Sequence, residues 1–396
     1  MTPFLPYGRH LIEDDDVAAV AAALTSGVIA HGPKVAEFEA ALADAVGARE
    51  AVACSSGTAA LHLALAALDV GPGDVCVVPA ISFLSTATAA LFCGADVLFA
   101  DVDPQTGLLT PETLGAAMTK APGRVKAVLP VHLGGRLCDS AGIAEAARAG
   151  GAVLVEDASH ALGSRDGRGG RAGGCAASAA ATFSFHPVKT IACGEGGAVT
   201  LNDPGRAERM RRLRNHGVTR DPALMAERDL SFDRDGAPNP WSYEQIELGF
   251  NYRMNELEAA LGLSQLGKLA RFVSRRTALA RRYDARLAPL ASLLAPVATG
   301  AGEAPSLHLY AVRIDFDAAG VSRGELMRRM SARGIGTQVH YIPLYRQPVF
   351  RARYGEQRLP GAEAWYARTL TLPLFPAMAD EDVDRVVVAL AEALGR

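Results

Sequence analysis

Seven short apolar runs, at 51–54, 75–78, 97–99, 125–131, 153–156, 181–185 and 198–201, recur between Ala- and Leu-rich stretches of helical character over residues 11–201. That alternation constrains the fold more than any other feature, because strands separated by helix-length segments form an α/β layer with a mostly parallel sheet. With 396 residues, 49% of them hydrophobic, the chain can bury a large core. The sequence therefore predicts a large unit over residues 1–265, with an N-terminal arm and a polar excursion at 203–245 broken by Pro222, Pro238 and Pro240. A long helical pattern from Asn255 to about Leu290 leads to a smaller α/β unit over 266–396, with strand candidates at 307–314 and 336–340 and a last helix over 380–394.

Charge and cysteine usage exclude several functions. The net charge of −3, from 40 basic and 43 acidic side chains, gives no basic face for nucleic acid and no polybasic membrane anchor. No run approaches the ~18 apolar residues of a membrane span. Residues 1–7 carry neither a basic segment nor an apolar core of a leader, so the expected location is the cytoplasm. Cys54, Cys76, Cys93, Cys138, Cys175 and Cys193 show no C-x-x-C pair and no matching histidine spacing, so neither a metal site nor a secreted disulfide framework is expected.

The chemistry concentrates in two segments. Phe183-Ser184-Phe185-His186-Pro187-Val188-Lys189-Thr190, followed by Gly194-Glu195-Gly196-Gly197, holds one lysine between a strand and a glycine turn. A lysine in a loop is most often a solvated charge, but the neighbours of Lys189 are apolar and glycine-rich, which suits an amine that condenses with an aldehyde cofactor. Upstream, Val153-Leu154-Val155-Glu156-Asp157-Ala158-Ser159-His160 reads as a buried strand that delivers an aspartate and then a histidine. A carboxylate at a strand end is what a pyridinium nitrogen needs, and the pair suggests pyridoxal phosphate. Asp157 has a competing reading as a helix N-cap, and His160 as a histidine packed at a strand end.

Ser55-Ser56-Gly57-Thr58-Ala59-Ala60-Leu61 looks like a turn opening a helix, whose free N–H groups suit a phosphate. Phe83 is either a core aromatic or a face for a flat ring. The glycines at 167, 169, 170, 173 and 174 do not sit between a clear strand and a helix, so they read as a turn, and a dinucleotide fold is a weak competitor.

Five blocks together resemble the DegT/DnrJ/EryC1/StrS family of fold-type-I, pyridoxal-phosphate-dependent nucleotide-sugar aminotransferases. They are Ser55 to Leu61, Pro79 to Phe83, Glu156 to Ala161, Ser184 to Gly197, and Gly249-Phe250-Asn251-Tyr252-Arg253-Met254-Asn255-Glu256. The resemblance runs from about Tyr7 to the C-terminus. It implies a large domain with a mostly parallel central sheet and a smaller C-terminal α/β domain. It also implies that Lys189 carries the cofactor and shuttles the proton, Asp157 pairs with the pyridine nitrogen, Phe83 stacks on the ring and His160 lies beside it. Ser56, Gly57, Thr58 and Ser184 would hold the phosphate, and Asn251 would reach the phosphate of a neighbouring subunit, making the enzyme a homodimer with shared sites.

The implied substrates are L-glutamate and a nucleotide-linked keto-sugar. His31, His186, Arg220, Arg313, His340 and Tyr341 are the candidates for binding them. Within the family, the Ser184 to Gly197 block and Gly336-Thr337-Gln338-Val339-His340-Tyr341-Ile342-Pro343-Leu344-Tyr345 are most similar to the subgroup of pseudaminic acid biosynthesis. Its acceptor is a UDP-linked 4-keto-6-deoxy-N-acetylhexosamine. Ile191-Ala192-Cys193 departs from that subgroup's usual Ile-Thr-Thr. Another keto-sugar, of perosamine, arabinose or antibiotic type, is the alternative acceptor, and a cofactor-binding regulatory protein the alternative class.

Overall fold

A computed structural model describes residues 3–300 and 302–396; Met1 and Thr2, at the start of the segment read for a leader, lie outside it. In chain order the first part comprises α1 (Asp14–Thr25), α2 (Pro33–Val46), β1 (Glu50–Cys54), α3 (Gly57–Ala66), β2 (Asp74–Pro79), α4 (Leu84–Phe92), β3 (Asp96–Ala100), α5 (Pro111–Met118), β4 (Arg124–Val128), α6 (Ser140–Ala149), β5 (Val153–Asp157), β6 (Ala180–Ser184), β7 (Gly197–Leu201) and α7 (Pro204–Leu213). All seven apolar runs are strands, and they form one sheet in the order β1-β7-β6-β5-β4-β2-β3. Pairing is parallel from β6 across to β3, while β7 runs antiparallel to both β1 and β6.

Buried pattern follows from this layering. Helices cover both faces, so β7 is buried at every residue and β1, β2 and β5 at all but their first. Loops leaving the carboxyl ends of β1, β2, β5 and β6 carry Ser56, Phe83, His160 and Lys189, the end where open α/β sheets place their ligands.

The excursion is only partly irregular. After the N-cap Asp203, its next ten residues form α7, whose Ala207 and Met210 are fully buried. Beyond lie β8 (Val218–Thr219), α8 (Arg228–Ser231) and β9 (Glu244–Gln245), with β8 and β9 paired antiparallel. The long helical pattern is two helices, α9 (Glu256–Leu266) and α10 (Leu269–Leu287), parted at Gly267 and Lys268. An Asn255 capping box with Glu258 starts α9.

The remaining elements are β10 (Leu294–Pro296), β11 (Tyr310–Ile314), α11 (Phe316–Ala319), α12 (Arg323–Ala332), α13 (Pro348–Tyr354), α14 (Pro360–Arg368), β12 (Thr369–Leu372) and α15 (Asp380–Ala393). Strands β10, β11 and β12 make an antiparallel sheet, and α10, α12 and α15 close a second apolar core around Leu279, Tyr283, Val312, Leu326 and Leu390. The expected strand at 336–340 is absent, and a single bridge from Gln338 to Thr371 takes its place.

Arg276 of α10, 1% exposed, donates through Nη1 to the carbonyls of Leu307, His308 and Leu374, tying the helix to the strand entries. The border expected at 265/266 falls in the last turn of α9, and beyond it Leu344, Tyr345, Phe350 and Trp365 return to pack into the core of the large sheet. Among the described residues no helix is long and apolar enough to cross a membrane. The acidic trio Glu13, Asp15 and Asp16 is held by the ammonium of Lys268, at 2.5 to 3.3 Å.

Candidate active site

A cavity of about 580 Å³ opens where the carboxyl ends of the large sheet face the second unit. Ser56, Gly57, Thr58, Phe83, Asp157, His160, Ser184, His186, Lys189, His340 and Tyr341 all line it, so eleven of the residues singled out from the sequence meet in one place.

One wall belongs to the large sheet. Ser56 caps α3 by accepting the Ala59 N–H at 3.1 Å, leaving the first-turn amides of Gly57 and Thr58 without helical partners. Ser184 ends β6 opposite Gly197. A Cβ added to Gly57 would lie 2.8 Å from the Ser184 Cβ, so glycine is needed for the helix start to come this close. The result is a hollow of amides and hydroxyls at a positive helix end, matched to a phosphate.

Asp157 is 4% exposed at the end of β5. Its Oδ2 accepts from Thr86 at 2.7 Å and its Oδ1 from the Ser159 N–H at 3.1 Å. The N-cap reading fails, because a turn and not a helix follows. Lys189 sits in the loop after β6, its N–H donating to the His186 carbonyl at 2.8 Å. Burial lowers its pKa to about 8, and the Asp157 charge only partly restores it. At pH 7 about a tenth of such an amine is neutral and nucleophilic, far more than for an ordinary lysine. Phe83, 54% exposed at the start of α4, offers a bare aromatic face at the same cavity.

The facing wall, made by His160 of the large unit with His340 and Tyr341 of the second, is uncharged. His160 Nδ1 accepts the Gly134 N–H at 3.3 Å, and its Nε2 lies 3.2 Å from the Tyr341 hydroxyl. With Nδ1 accepting, Nε2 carries the hydrogen and donates to Tyr341. Burial and then the charge of Lys189 hold the His160 pKa well down. His340 pairs through Nδ1 with Thr371 at 2.8 Å, and burial takes its pKa to about 3. Burial pushes the Tyr341 phenol up.

Four candidates lie elsewhere. His31 and Asn251 share a second hollow with Arg214 and Arg253, and His31 shares a third with Arg220, whose guanidinium lies 6.0 Å from the Tyr243 ring. Arg313, put forward for the substrate, is instead half-buried on β11, the central strand between β10 and β12, and is not among the residues lining this cavity. The sequence also missed residues. His308 lines the cavity with its ring 4.4 Å from that of His160 and its Nδ1 buried without a partner. It was hidden inside an apolar strand pattern. Tyr7 and Thr86 carry no local signal, since their partners are remote in sequence.

The donor set therefore fits a phosphorylated aldehyde cofactor with a protonated ring nitrogen: free amides, a buried acceptor carboxylate, a lysine of depressed basicity and an open aromatic face.

The comparisons agree with this geometry. The chain is 38% identical over 392 residues to the spore coat polysaccharide biosynthesis protein SpsC of Bacillus subtilis (strain 168), covering 98% of this chain and 97% of that protein. Its structure is similar to that of Helicobacter pylori PseC, an aminotransferase involved in the biosynthesis of pseudoaminic acid, with a TM-score of 0.88, 26% identity and 99% of each chain covered. It is likewise similar to Spr1654 of Streptococcus pneumoniae in its PLP form, with a TM-score of 0.87, 26% identity and 99% of each chain covered. The architecture is that of the fold-type-I aminotransferases. The DegT/DnrJ/EryC1/StrS aminotransferase family model matches residues 10–391, and the chain belongs to that family.

Proposed function

We propose that the protein transfers the amino group of L-glutamate to the C4 keto group of a nucleotide-linked 4-keto-6-deoxy sugar, with pyridoxal 5′-phosphate as its cofactor. The observation that carries this reading is the pair in one cavity of Lys189, its pKa lowered to about 8, and the buried carboxylate of Asp157. When bound, the cofactor supplies an electron sink beside the reacting carbon. Lys189 holds the cofactor aldehyde and, once released, is the base placed to move a proton next to the reacting carbon. Asp157, fixed through both oxygens, keeps the ring nitrogen protonated. Ser56, Gly57, Thr58 and Ser184 bind the phosphate, Phe83 covers the ring, and neutral His160 lies beside it. His186, His340 and Tyr341 face the substrates.

Among the described residues no arginine lines the cavity, yet glutamate and a diphosphate are both anionic. In this reading His31, Arg220 and Asn251 serve the site of a second subunit, so the working unit is a homodimer of a cytoplasmic enzyme. Arg313 has no part in it.

For the acceptor, the UDP-linked 4-keto-6-deoxy-N-acetylhexosamine of the pseudaminic type rests on the Ser184 to Gly197 and Gly336 to Tyr345 blocks. The higher identity to SpsC, 38% against 26% for PseC, favours a second acceptor of another sugar type. An absorbance titration tests both. Glutamate should convert the visible band of the holoenzyme, and one of the UDP- or GDP-linked 4-keto-6-deoxy sugars should restore it. A cofactor band that glutamate leaves unchanged would sink the transaminase and favour a binding protein.

A further inference from the structure

The N-terminal arm enters the cavity clamped to the second unit. Leu5 N–H donates to the Gly334 carbonyl at 2.9 Å, and Gly336 N–H returns a bond to the Leu5 carbonyl at 2.8 Å. Arg385 Nη1 donates to the Pro3 carbonyl at 3.0 Å, and Leu374 N–H to that of Tyr7 at 3.0 Å. The fit is close. A Cβ on Gly336 would lie 3.2 Å from both the Pro6 Cα and the Tyr7 nitrogen. At Gly8 the arm crosses to the Lys189 loop, where an added Cβ would touch the Val188 Cβ at 3.6 Å.

Tyr7 is the residue this clamp presents. It lines the cavity with its ring 5.6 Å from that of His340, which in turn stands edge-on to Tyr341 at 4.8 Å. The Tyr341 hydroxyl is engaged by His160 and the His340 Nδ1 by Thr371. Among the described residues none hydrogen-bonds the Tyr7 hydroxyl, whose pKa is raised by burial alone. An unengaged phenol on a wall of uncharged rings suits a hexose, with its apolar ring faces and neutral hydroxyl or amide substituents. It does not suit a glutamate carboxylate, which calls for a cation or convergent N–H groups.

We propose that Tyr7 is a specificity-determining residue that hydrogen-bonds the sugar moiety of the acceptor, positioned by the clamp between the arm and Gly334, Gly336, Leu374 and Arg385. The proposal rests on the sugar-aminotransferase reading above.

The two half-reactions of the holoenzyme separate them. For the unaltered protein and Tyr7→Phe, the rate constants for conversion by glutamate and for return by the UDP-linked 4-keto-6-deoxy-N-acetylhexosamine, or its GDP-linked counterpart, are measured by absorbance. Loss of one neutral hydrogen bond should lower the ratio of the sugar step to the glutamate step roughly three- to tenfold. Gly336→Val, at a position outside the cavity lining, forces the arm backbone at Pro6 and Tyr7 to move and should lower the same ratio by displacing Tyr7. An unchanged ratio in Tyr7→Phe, or equal losses in both steps, overturns the proposal. An unaltered protein that glutamate does not convert, or that neither sugar returns, removes the sugar-aminotransferase reading and this proposal with it.

Discussion

Thr86 of α4 donates its hydroxyl hydrogen to Asp157 Oδ2 at 2.7 Å, and Ser82 lies 2.6 Å from the same hydroxyl. Because Thr86 spends its hydrogen on the carboxylate, Ser82 must donate to Thr86, and the three form a polarised chain ending on a buried charge. Thr86→Val keeps the shape and removes the donor. Stability should fall by about 1–3 kcal/mol, the cost of leaving a buried acceptor unmatched, and cofactor should dialyse away faster. Denaturant titration of the apoprotein and cofactor retention check both; a variant equal to its parent in each would contradict the assigned role of Thr86.

Lys189 is held at a thermodynamic disadvantage. Its pKa of about 8 in the fold lies below the ordinary 10.5, so the unfolded chain binds more protons between those values. Stability of the apoprotein therefore rises with pH across that window, and below pH 8 the full penalty of the buried charge is present. Lys189→Met should abolish turnover and the lysine-bound absorbance while stabilising the apoprotein at pH 7 by up to about 3 kcal/mol. The gain should vanish near pH 10 to 11. Denaturant unfolding at the two pH values decides it, and a variant less stable at pH 7 would show that Lys189 is paired and not desolvated.

Gly197 lets β7 and the phosphate turn touch. It pairs with Cys54 on one side and Ser184 on the other, and an added Cβ would fall 2.2 Å from the Ser56 carbonyl oxygen and 2.7 Å from the Gly57 nitrogen. Those neighbours are backbone, so the turn itself must move. Gly197→Ala should cost about 1–3 kcal/mol and weaken cofactor binding more than tenfold. Equilibrium binding of pyridoxal phosphate to the refolded apoprotein, read by fluorescence, would show otherwise if the turn tolerates the methyl group.

What the sequence made legible follows from locality. The seven strands of the large sheet could be read because strands covered by helices on both faces are uninterrupted apolar runs, in the parallel part and in the antiparallel β7 alike. Strands β10 and β12, of three and four residues, are too short for that signal, and β12 is half threonine. Residues 336–340 alternate like a strand, but beyond the bridge at Gln338 they form cavity wall instead of sheet. In the site, Lys189 and Asp157 announced themselves through their own neighbours. Thr86, 71 residues from its partner, and His308, set against His160 by a seam of buried serines, acquire their meaning only through the fold.

The position of Asn251 and His31, in a hollow apart from the Lys189 cavity, bears on whether two chains share a site. In the proposed homodimer each site takes Lys189 from one subunit and Asn251 from the other. Lys189→Ala and Asn251→Asp homodimers should then each be nearly inactive, since every site lacks one required group. Unfolding and refolding an equimolar mixture places both lesions of a mixed dimer in one of its two sites and leaves the other intact. Half the dimers are mixed, so activity should return to about a quarter of that of the unaltered protein. Recovery requires groups from both chains in one site. If each chain carried a complete site of its own, every site in the mixture would still hold one lesion, and activity would stay at the average of the two variants.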